Sequence, residues 1–448
     1  MMGKYFSIKS IFKIIFIIIA IILTSYIILS FADAFNITNN NYVSNSGAYS
    51  SNWQNNARGD RDFNQIGAKD GNADEEVSYV NRSSAMTVLE ASTMRVLVEH
   101  NKDVRLEMAS TTKIMTALVV IENEDLDKEF TIPDEAVGVE GSSIYLKSKE
   151  IWTIRDLLYG LMLRSGNDAA TALAIATGGS VENFVKMMND RVEQLGLTNT
   201  HFENPHGLHS DEHYTSAYDL AVISAIAMQN PTFKEVSGCK MYTVQANSSH
   251  PTYYFANKNK MLSIYDGANG IKTGYTKDSG RCLVTAAERN GMQLIGVVLN
   301  VYDHYNASAI NFDKAFENYS PVSIGRKGDV IETLNIEGKN YNIALQNDLT
   351  LPLKEGEIVG IKCCFEINEG LQTPLNADSI IGKMLFYIDN RLLFSANIVN
   401  METIDDIGVL RKLSAYSGEM RISVENGEIK QIFSVDGSGV TAWSRQTN

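Results

Sequence analysis

The chain is short of cysteine, proline and positive charge. Its 448 residues include four cysteines, Cys239, Cys282, Cys363 and Cys364, too few for a disulfide scaffold and without the C-x-x-C spacing of a zinc site. Seven prolines and no glycine period exclude a collagen-like chain. Lys and Arg number 39 against 53 Asp and Glu, a net charge of −14. That is a poor surface for a phosphate backbone and excludes nucleic acid as an expected partner. No internal repeat is present. Apolar residues at 44% and aromatics at 9% are enough to build cores, and at about 150 residues per domain the chain should hold two or three units.

The N-terminus carries an export pattern. Lys4, Lys9 and Lys13 precede an apolar run from Ile14 to Phe31, and Ala32-Asp33-Ala34 fits the small-x-small site of a signal peptidase. A run of roughly eighteen residues is near the lower limit of a bilayer span. Residues 1–34 are therefore expected to be a cleaved signal peptide or a retained signal-anchor, with the bulk of the chain outside the cytoplasmic membrane. Residues 35–77 turn to Asn, Ser, Gly and Asp, a composition that cannot offset its ordering entropy and reads as a flexible linker.

Regular patterning predicts an α+β domain over 78–320. Ala85–Glu90 and Arg95–Glu99 read as a hairpin. A helix follows Ser110, with Ile114, Leu118 and Ile121 on one face. Thr153 and Asp156 form a capping box for a helix through Leu163. Val181–Leu195 is a helix stopped by Gly196, and Ser216 and Asp219 cap another that ends before Pro231. Cys282–Glu288 and Gln293–Val301 are strands joined across Asn290-Gly291. From 321 to 400 the pattern is all-β, with strands expected at Asp329–Leu334, Ile358–Phe365, Lys383–Ile388 and Leu392–Val399. The tail, 401–448, holds further strand-like stretches at Arg421–Val424 and Lys430–Val435, no amphipathic or spanning helix, and no assigned role.

Three short motifs carry chemistry. In Ser110-Thr111-Thr112-Lys113 the lysine lies one helical turn from the serine, close enough to act as its base if burial or positive charge lowers its proton affinity. Taken alone the spacing is weak, since it recurs at Ser10 and Lys13 inside the export segment. Ser165-Gly166-Asn167 falls in a break between two helical runs, where it reads either as a turn with a new cap or as a proton-relaying hydroxyl and a substrate-binding amide. Lys272-Thr273-Gly274 reads either as an edge strand with a protective charge or as a carboxylate grip beside a glycine that admits a substrate backbone. Together, in this order, they are the set of serine β-lactamases and penicillin-binding proteins.

On these motifs and their flanks the chain closely resembles the low-molecular-weight penicillin-binding proteins that are D-alanyl-D-alanine carboxypeptidases. Met108 to Ala117 is similar to the family's nucleophile helix, Leu161 to Ala170 to its second motif, and Asn199 to Leu208 to a further family stretch. The resemblance implies a β-lactamase/transpeptidase-like catalytic domain, an antiparallel sheet with helices, followed by a small all-β domain. It implies no cofactor and no metal.

The roles it implies are specific. Lys113 would deprotonate Ser110, which attacks the penultimate D-Ala carbonyl. The backbone N–H groups of Ser110 and Tyr275 would form the oxyanion hole. Ser165 would pass a proton to the leaving D-Ala, Asn167 would hold the peptide, and Lys272, Thr273 and Gly274 would receive the terminal carboxylate and backbone. The expected partners are peptidoglycan stem peptides and, as covalent inhibitors, β-lactams. Membrane attachment would use the N-terminal segment.

Two features depart from the pattern. Tyr275 stands where many relatives carry histidine, and Tyr302–Ala309 lacks the arginine that many use for the carboxylate. A β-lactamase, a DD-endopeptidase on the same site and a non-catalytic wall-binding or β-lactam-sensing protein are the alternatives. Gly166, where a β-lactamase usually has Asp, and the presence of Ser110, Lys113 and Lys272 together weigh against the first and last. His201, His206 and His209 lie in one loop without an acidic partner at ligand spacing, so a zinc site is not expected there.

Overall fold

The computed structural model describes residues 84–336, 338–368, 371–405, 417–425, 428–436 and 439–444. The expected signal segment and linker lie outside these residues. Among the described residues no helix is long and apolar enough to cross a membrane.

The expected first hairpin is β1 (Ala85–Glu90) with β2 (Val96–His100). After it come α1 (Lys113–Asn123), the short pair β3 (Glu129–Thr131) and β4 (Ile151–Thr153), then α2 (Ile154–Tyr159), α3 (Asn167–Gly178), α4 (Val181–Gln194), α5 (Ala217–Gln229) and α6 (Pro231–Gly238). A second short pair, β5 (Met241–Val244) and β6 (Tyr253–Ala256), leads to β7 (Ala268–Thr276), β8 (Gly280–Arg289) and β9 (Met292–Leu299), closed by α7 (His304–Asn318). The central sheet is antiparallel in the order β2-β1-β9-β8-β7, which leaves β7 at an edge.

Alternation along these strands loads both faces. Cys282, Val284 and Ala286 of β8 and Ile295, Val297 and Leu299 of β9 join the helical core with residues of α1, α3 and α5. Their neighbours Leu283, Ala287, Leu294 and Val298 meet Ala307, Phe312 and Ala315 of α7 on the other side. The predicted caps are formed: Thr153 Oγ1 accepts from Asp156 N at 3.0 Å and Ser216 Oγ from Asp219 N at 3.0 Å. Asn290 and Gly291 both take positive φ (51° and 78°), the mirror-image turn that suits a right-twisted hairpin.

One predicted helix differs. The run expected through Leu163 leaves α-geometry at Gly160 and continues as a π turn over Gly160–Arg164. A side chain at Gly160 would lie 2.7 Å from Ile144 Cδ1, so the neighbouring loop sits against the helix where it widens.

Beyond α7 are β10 (Ser320–Gly325), β11 (Val330–Ile336), β12 (Lys339–Leu345), β13 (Leu349–Leu353), β14 (Lys362–Ile367), β15 (Ile380–Ile388) and β16 (Arg391–Asn400), with β17 (Ser417–Glu425), β18 (Glu428–Asp436) and β19 (Gly439–Ser444). Strands β10 and β13 pair separately, and the other eight form one sheet in which β17 pairs β14. The sheet therefore continues past Val399 into the tail. The strand expected from Ile358 begins only at Lys362, because Glu357–Gly360 forms a helical turn. Glu357 there receives a bidentate pair from Arg95 at 2.8 and 2.9 Å, tying the turn after β1 to this β-rich unit. All four cysteines are free thiols.

The crossing of α3 and α4 depends on Gly178, where an added Cβ would lie 2.7 Å from Phe184 N. Gly178→Ala is expected to cost about 1–3 kcal/mol by overpacking, measured as a melting temperature several degrees lower. An unchanged melting temperature would contradict the close approach.

Candidate active site

Ser110 stands in a 3₁₀ turn, Ala109–Thr112, that runs into α1. Residues i and i+3 eclipse in such a turn, which brings Lys113 Nζ to 3.0 Å from Ser110 Oγ. The Lys113 side chain is 0% exposed. Its amine donates to Asn167 Oδ1 at 2.7 Å and to the His206 carbonyl at 2.6 Å. Burial, reinforced by the charges of Lys272 and Lys258 and opposed by Asp168, holds this amine well below the ordinary lysine value of 10.5. Both oxygens can only accept, so the amine must donate to each. A neutral amine then keeps its lone pair for the third direction, where the Ser110 hydroxyl lies.

The turn before the nucleophile is strained and braced. Ala109 has φ +47°, a left-handed value that only glycine adopts freely. Gly207, at φ +91°, packs so closely that a Cβ there would lie 1.9 Å from the Ala109 carbonyl oxygen. A hydrogen-bond relay reaches the same oxygen. Glu203 N–H donates to His213 Nδ1 at 3.0 Å, so the neutral ring carries its proton on Nε2. That nitrogen lies 2.8 Å from Thr112 Oγ1, which donates to the Ala109 carbonyl at 2.8 Å.

The second motif begins where the π turn ends. Ser165 takes φ +63°, and Asn167 opens α3 after Gly166. Both ends of the buried Asn167 amide are engaged, Oδ1 with Lys113 and Nδ2 with the Glu140 carbonyl. Asp168 gathers the loop in front of it by accepting from Ser143 Oγ at 2.5 Å and from Ile144 N and Leu146 N at 3.1 Å.

The third motif lies on edge strand β7, yet Lys272 is only 2% exposed and is not a protective surface charge. Its amine donates to the Thr273 carbonyl at 3.0 Å, and burial followed by Lys258 brings its proton affinity down to about 7. A Cβ on Gly274 would lie 3.0 Å from the Met108 carbonyl and 3.2 Å from Ser110 N. Glycine thus lets β7 run alongside the nucleophile turn.

These elements enclose a cleft of about 370 Å³. Ser110, Ser165, Thr273, Gly274 and Tyr275 line it directly, while Lys113 and Asn167 stand behind Ser110 and Lys272 beside Thr273. Sequence reasoning missed Ser142, Lys258, Arg281 and His304, which line the same cleft. Lys258 lies between two asparagines after β6 and donates to Ser142 Oγ at 3.2 Å, a contact across 116 positions that no local pattern announces. The three loop histidines do not share a centre. His206 is half-buried and held neutral by burial and by Lys113, and His201 Nδ1 lies against the Glu212 carbonyl. His209, expected to lack an acidic partner, faces the Glu107 carboxylate at 2.7 Å, because the fold brings in a residue 102 positions earlier.

A sequence profile described as D-alanyl-D-alanine carboxypeptidase matches residues 69–303, and one described as the C-terminal domain of penicillin-binding protein 5 matches residues 319–406. The chain is 29% identical to D-alanyl-D-alanine carboxypeptidase DacF of Bacillus subtilis, over 78% of this chain and 92% of that protein. It is 31% identical to DacA of Haemophilus influenzae over 71% and 84%. The crystal structure of penicillin-binding protein 5 from Haemophilus influenzae superposes with a TM-score of 0.60 at 29% identity, covering 72% of this chain and 97% of that one. The chain belongs to the D-alanyl-D-alanine carboxypeptidase family of low-molecular-weight penicillin-binding proteins.

His213 gives the site a measurable acid sensitivity. Burial, with Lys113 and His201 adding to it against Glu203, lowers its proton affinity from 6.5 to about 4. The unfolded chain therefore takes up a proton that the folded one refuses, and stability falls as pH drops from 6.5 toward about 4. His213→Asn is expected to flatten that slope in urea unfolding measured across this range. An unaltered slope would contradict the buried neutral ring.

Proposed function

We propose that this protein is a serine-type carboxypeptidase that removes the terminal D-alanine from peptidoglycan stem peptides through an ester on Ser110, and that β-lactams acylate the same hydroxyl. The observation that carries the reading is the buried Lys113 amine at 3.0 Å from Ser110 Oγ with both its carbonyl partners in place.

The reaction follows from that geometry. Lys113 takes the Ser110 proton as the oxygen attacks the penultimate D-Ala carbonyl. Negative charge develops on the carbonyl oxygen and is received by the backbone N–H groups of Ser110 and Tyr275; the close approach of Gly274 to Ser110 N supports this pairing. The C–N bond breaks, and Ser165 conducts the proton from Lys113 to the departing amine. Water then attacks the ester and restores Ser110. Asn167 orients Lys113 with its oxygen and offers its remaining N–H to the substrate peptide group. Thr273 and Lys272 receive the terminal carboxylate, whose charge stabilises the ammonium form of Lys272 once substrate is bound.

The substrate is part of the cell wall, so the protein acts outside the cytoplasmic membrane. The basic and apolar stretch at residues 1–34 supports export through a signal peptide or anchoring by that segment.

Two substitutions test the reading. Ser110→Ala should abolish labelling by fluorescent penicillin and release of D-alanine from a synthetic pentapeptide while the melting temperature holds. Lys113→Arg replaces the amine with a permanently charged guanidinium that cannot serve as a base, and should slow acylation by about 10²–10⁴-fold. Undiminished labelling of Ser110→Ala would reject the nucleophile, and near-normal acylation of Lys113→Arg would reject the base.

A further inference from the structure

The proposed reaction needs a fixed positive charge for the carboxylate that ends the substrate, and the lysines near Ser110 are poorly suited to supply it alone. Lys113 is engaged with Ser110, Asn167 and His206. Lys272 is buried, with its proton affinity brought down to about 7, and bonds to a backbone carbonyl. Lys258 is also lowered by burial and by Arg164, and is directed to Ser142. A guanidinium, by contrast, keeps its charge throughout and matches a carboxylate with two parallel N–H donors.

Arg281 brings such a group to the cleft wall. It lies on β8 directly opposite Tyr275 of β7, so its side chain emerges beside the third motif. Its guanidinium carbon lies 5.3 Å from the centre of the Tyr302 ring, which gives the planar group a stacking face. Among the described residues, the arginine–carboxylate pairs involve Arg95, Arg155, Arg191 and Arg289 and leave Arg281 out. The residue is exposed. The stretch Tyr302–Ala309 holds no arginine.

We propose that Arg281 is a specificity-determining residue that binds the terminal carboxylate of the substrate from the β8 side of the cleft, with the Tyr302 ring holding the guanidinium in place. The assignment rests on the carboxypeptidase reading above. It adds to Thr273 and Lys272 a permanently charged group on the strand beside the third motif.

The test uses the purified protein and two pentapeptides that differ only at the C-terminus, one a free acid and one a carboxamide. Wild type should prefer the acid. Arg281→Gln should lower kcat/KM for the acid by roughly 10- to 100-fold, the size expected for a lost charge-assisted hydrogen bond, mainly through KM. The amide should change little, and Arg281→Lys should retain part of the preference. Because Arg281 is exposed, an unchanged melting temperature should accompany the loss. Equal losses on both peptides, no loss on either, or a wild type without acid preference would each overturn the assignment while leaving the carboxypeptidase reading intact. A wild type that releases no D-alanine from either peptide would overturn that reading and this assignment with it.

Discussion

Lys113 is shut away from water, and the site is arranged around the consequence. Charging an amine in such surroundings costs several kcal/mol unless carboxylates stand close. Its immediate neighbours are two carbonyl oxygens and a hydroxyl, and the nearby charges of Lys272 and Lys258 outweigh the opposing Asp168. Each neighbour suits a neutral amine with one lone pair. The folded chain supplies these neighbours from widely separated places: α1 for the amine, the start of α3 for Asn167, the loop after α4 for His206, and β7 for Lys272. Burial is the largest cause of the lowered proton affinity of Lys113, and the charge of Lys272 adds to it. The helical core that buries the amine and the strand that places a second lysine beside it act on the same equilibrium.

A second constraint is how closely backbones must approach. Ala109 and Ser165 both hold left-handed φ values, at roughly 1–3 kcal/mol each for a residue with a side chain. They sit next to the nucleophile and in the second motif, and each is fixed by glycine-permitted contacts. Gly207 presses on the Ala109 carbonyl, Gly160 lets Ile144 against the π turn that ends at Ser165, and Gly274 brings β7 to the nucleophile turn. The relay from Glu203 through His213 and Thr112 also holds the Ala109 carbonyl. Strain and bracing thus meet where Ser110 Oγ must be held in place.

Much of this was legible in the sequence, for local reasons. The capping boxes at Thr153 and Ser216 and the Asn290-Gly291 turn are short-range signals, and the structure contains them as expected. The three motifs announced the walls of one cleft because each is a contiguous stretch whose spacing carries its own geometry. What escaped is non-local. Ile144 packs against the π turn at Gly160, the partner of His209 is Glu107, and Lys258 reaches Ser142 across the cleft. The helical turn at Glu357 answers to Arg95, some 262 positions earlier. Lys272 illustrates the limit best, since the motif alone fitted either an edge-strand charge or a carboxylate grip and only the fold shows the side chain buried. Arg281 was invisible for the same reason: its relation to Tyr302 is set by β8 meeting the turn before α7.

The central claim is that the base beside Ser110 is a buried amine whose proton affinity lies well below that of an ordinary lysine. The most direct measurement is the second-order rate constant for acylation of the wild-type protein by a β-lactam, followed from mildly acidic to strongly basic solution. The account predicts a rate that falls as the solution is made more acidic, with a midpoint well below the ordinary lysine value of 10.5. A rate that climbs steadily through neutrality and levels off only near 10.5 would show Lys113 to be an ordinary charged lysine and would contradict the account.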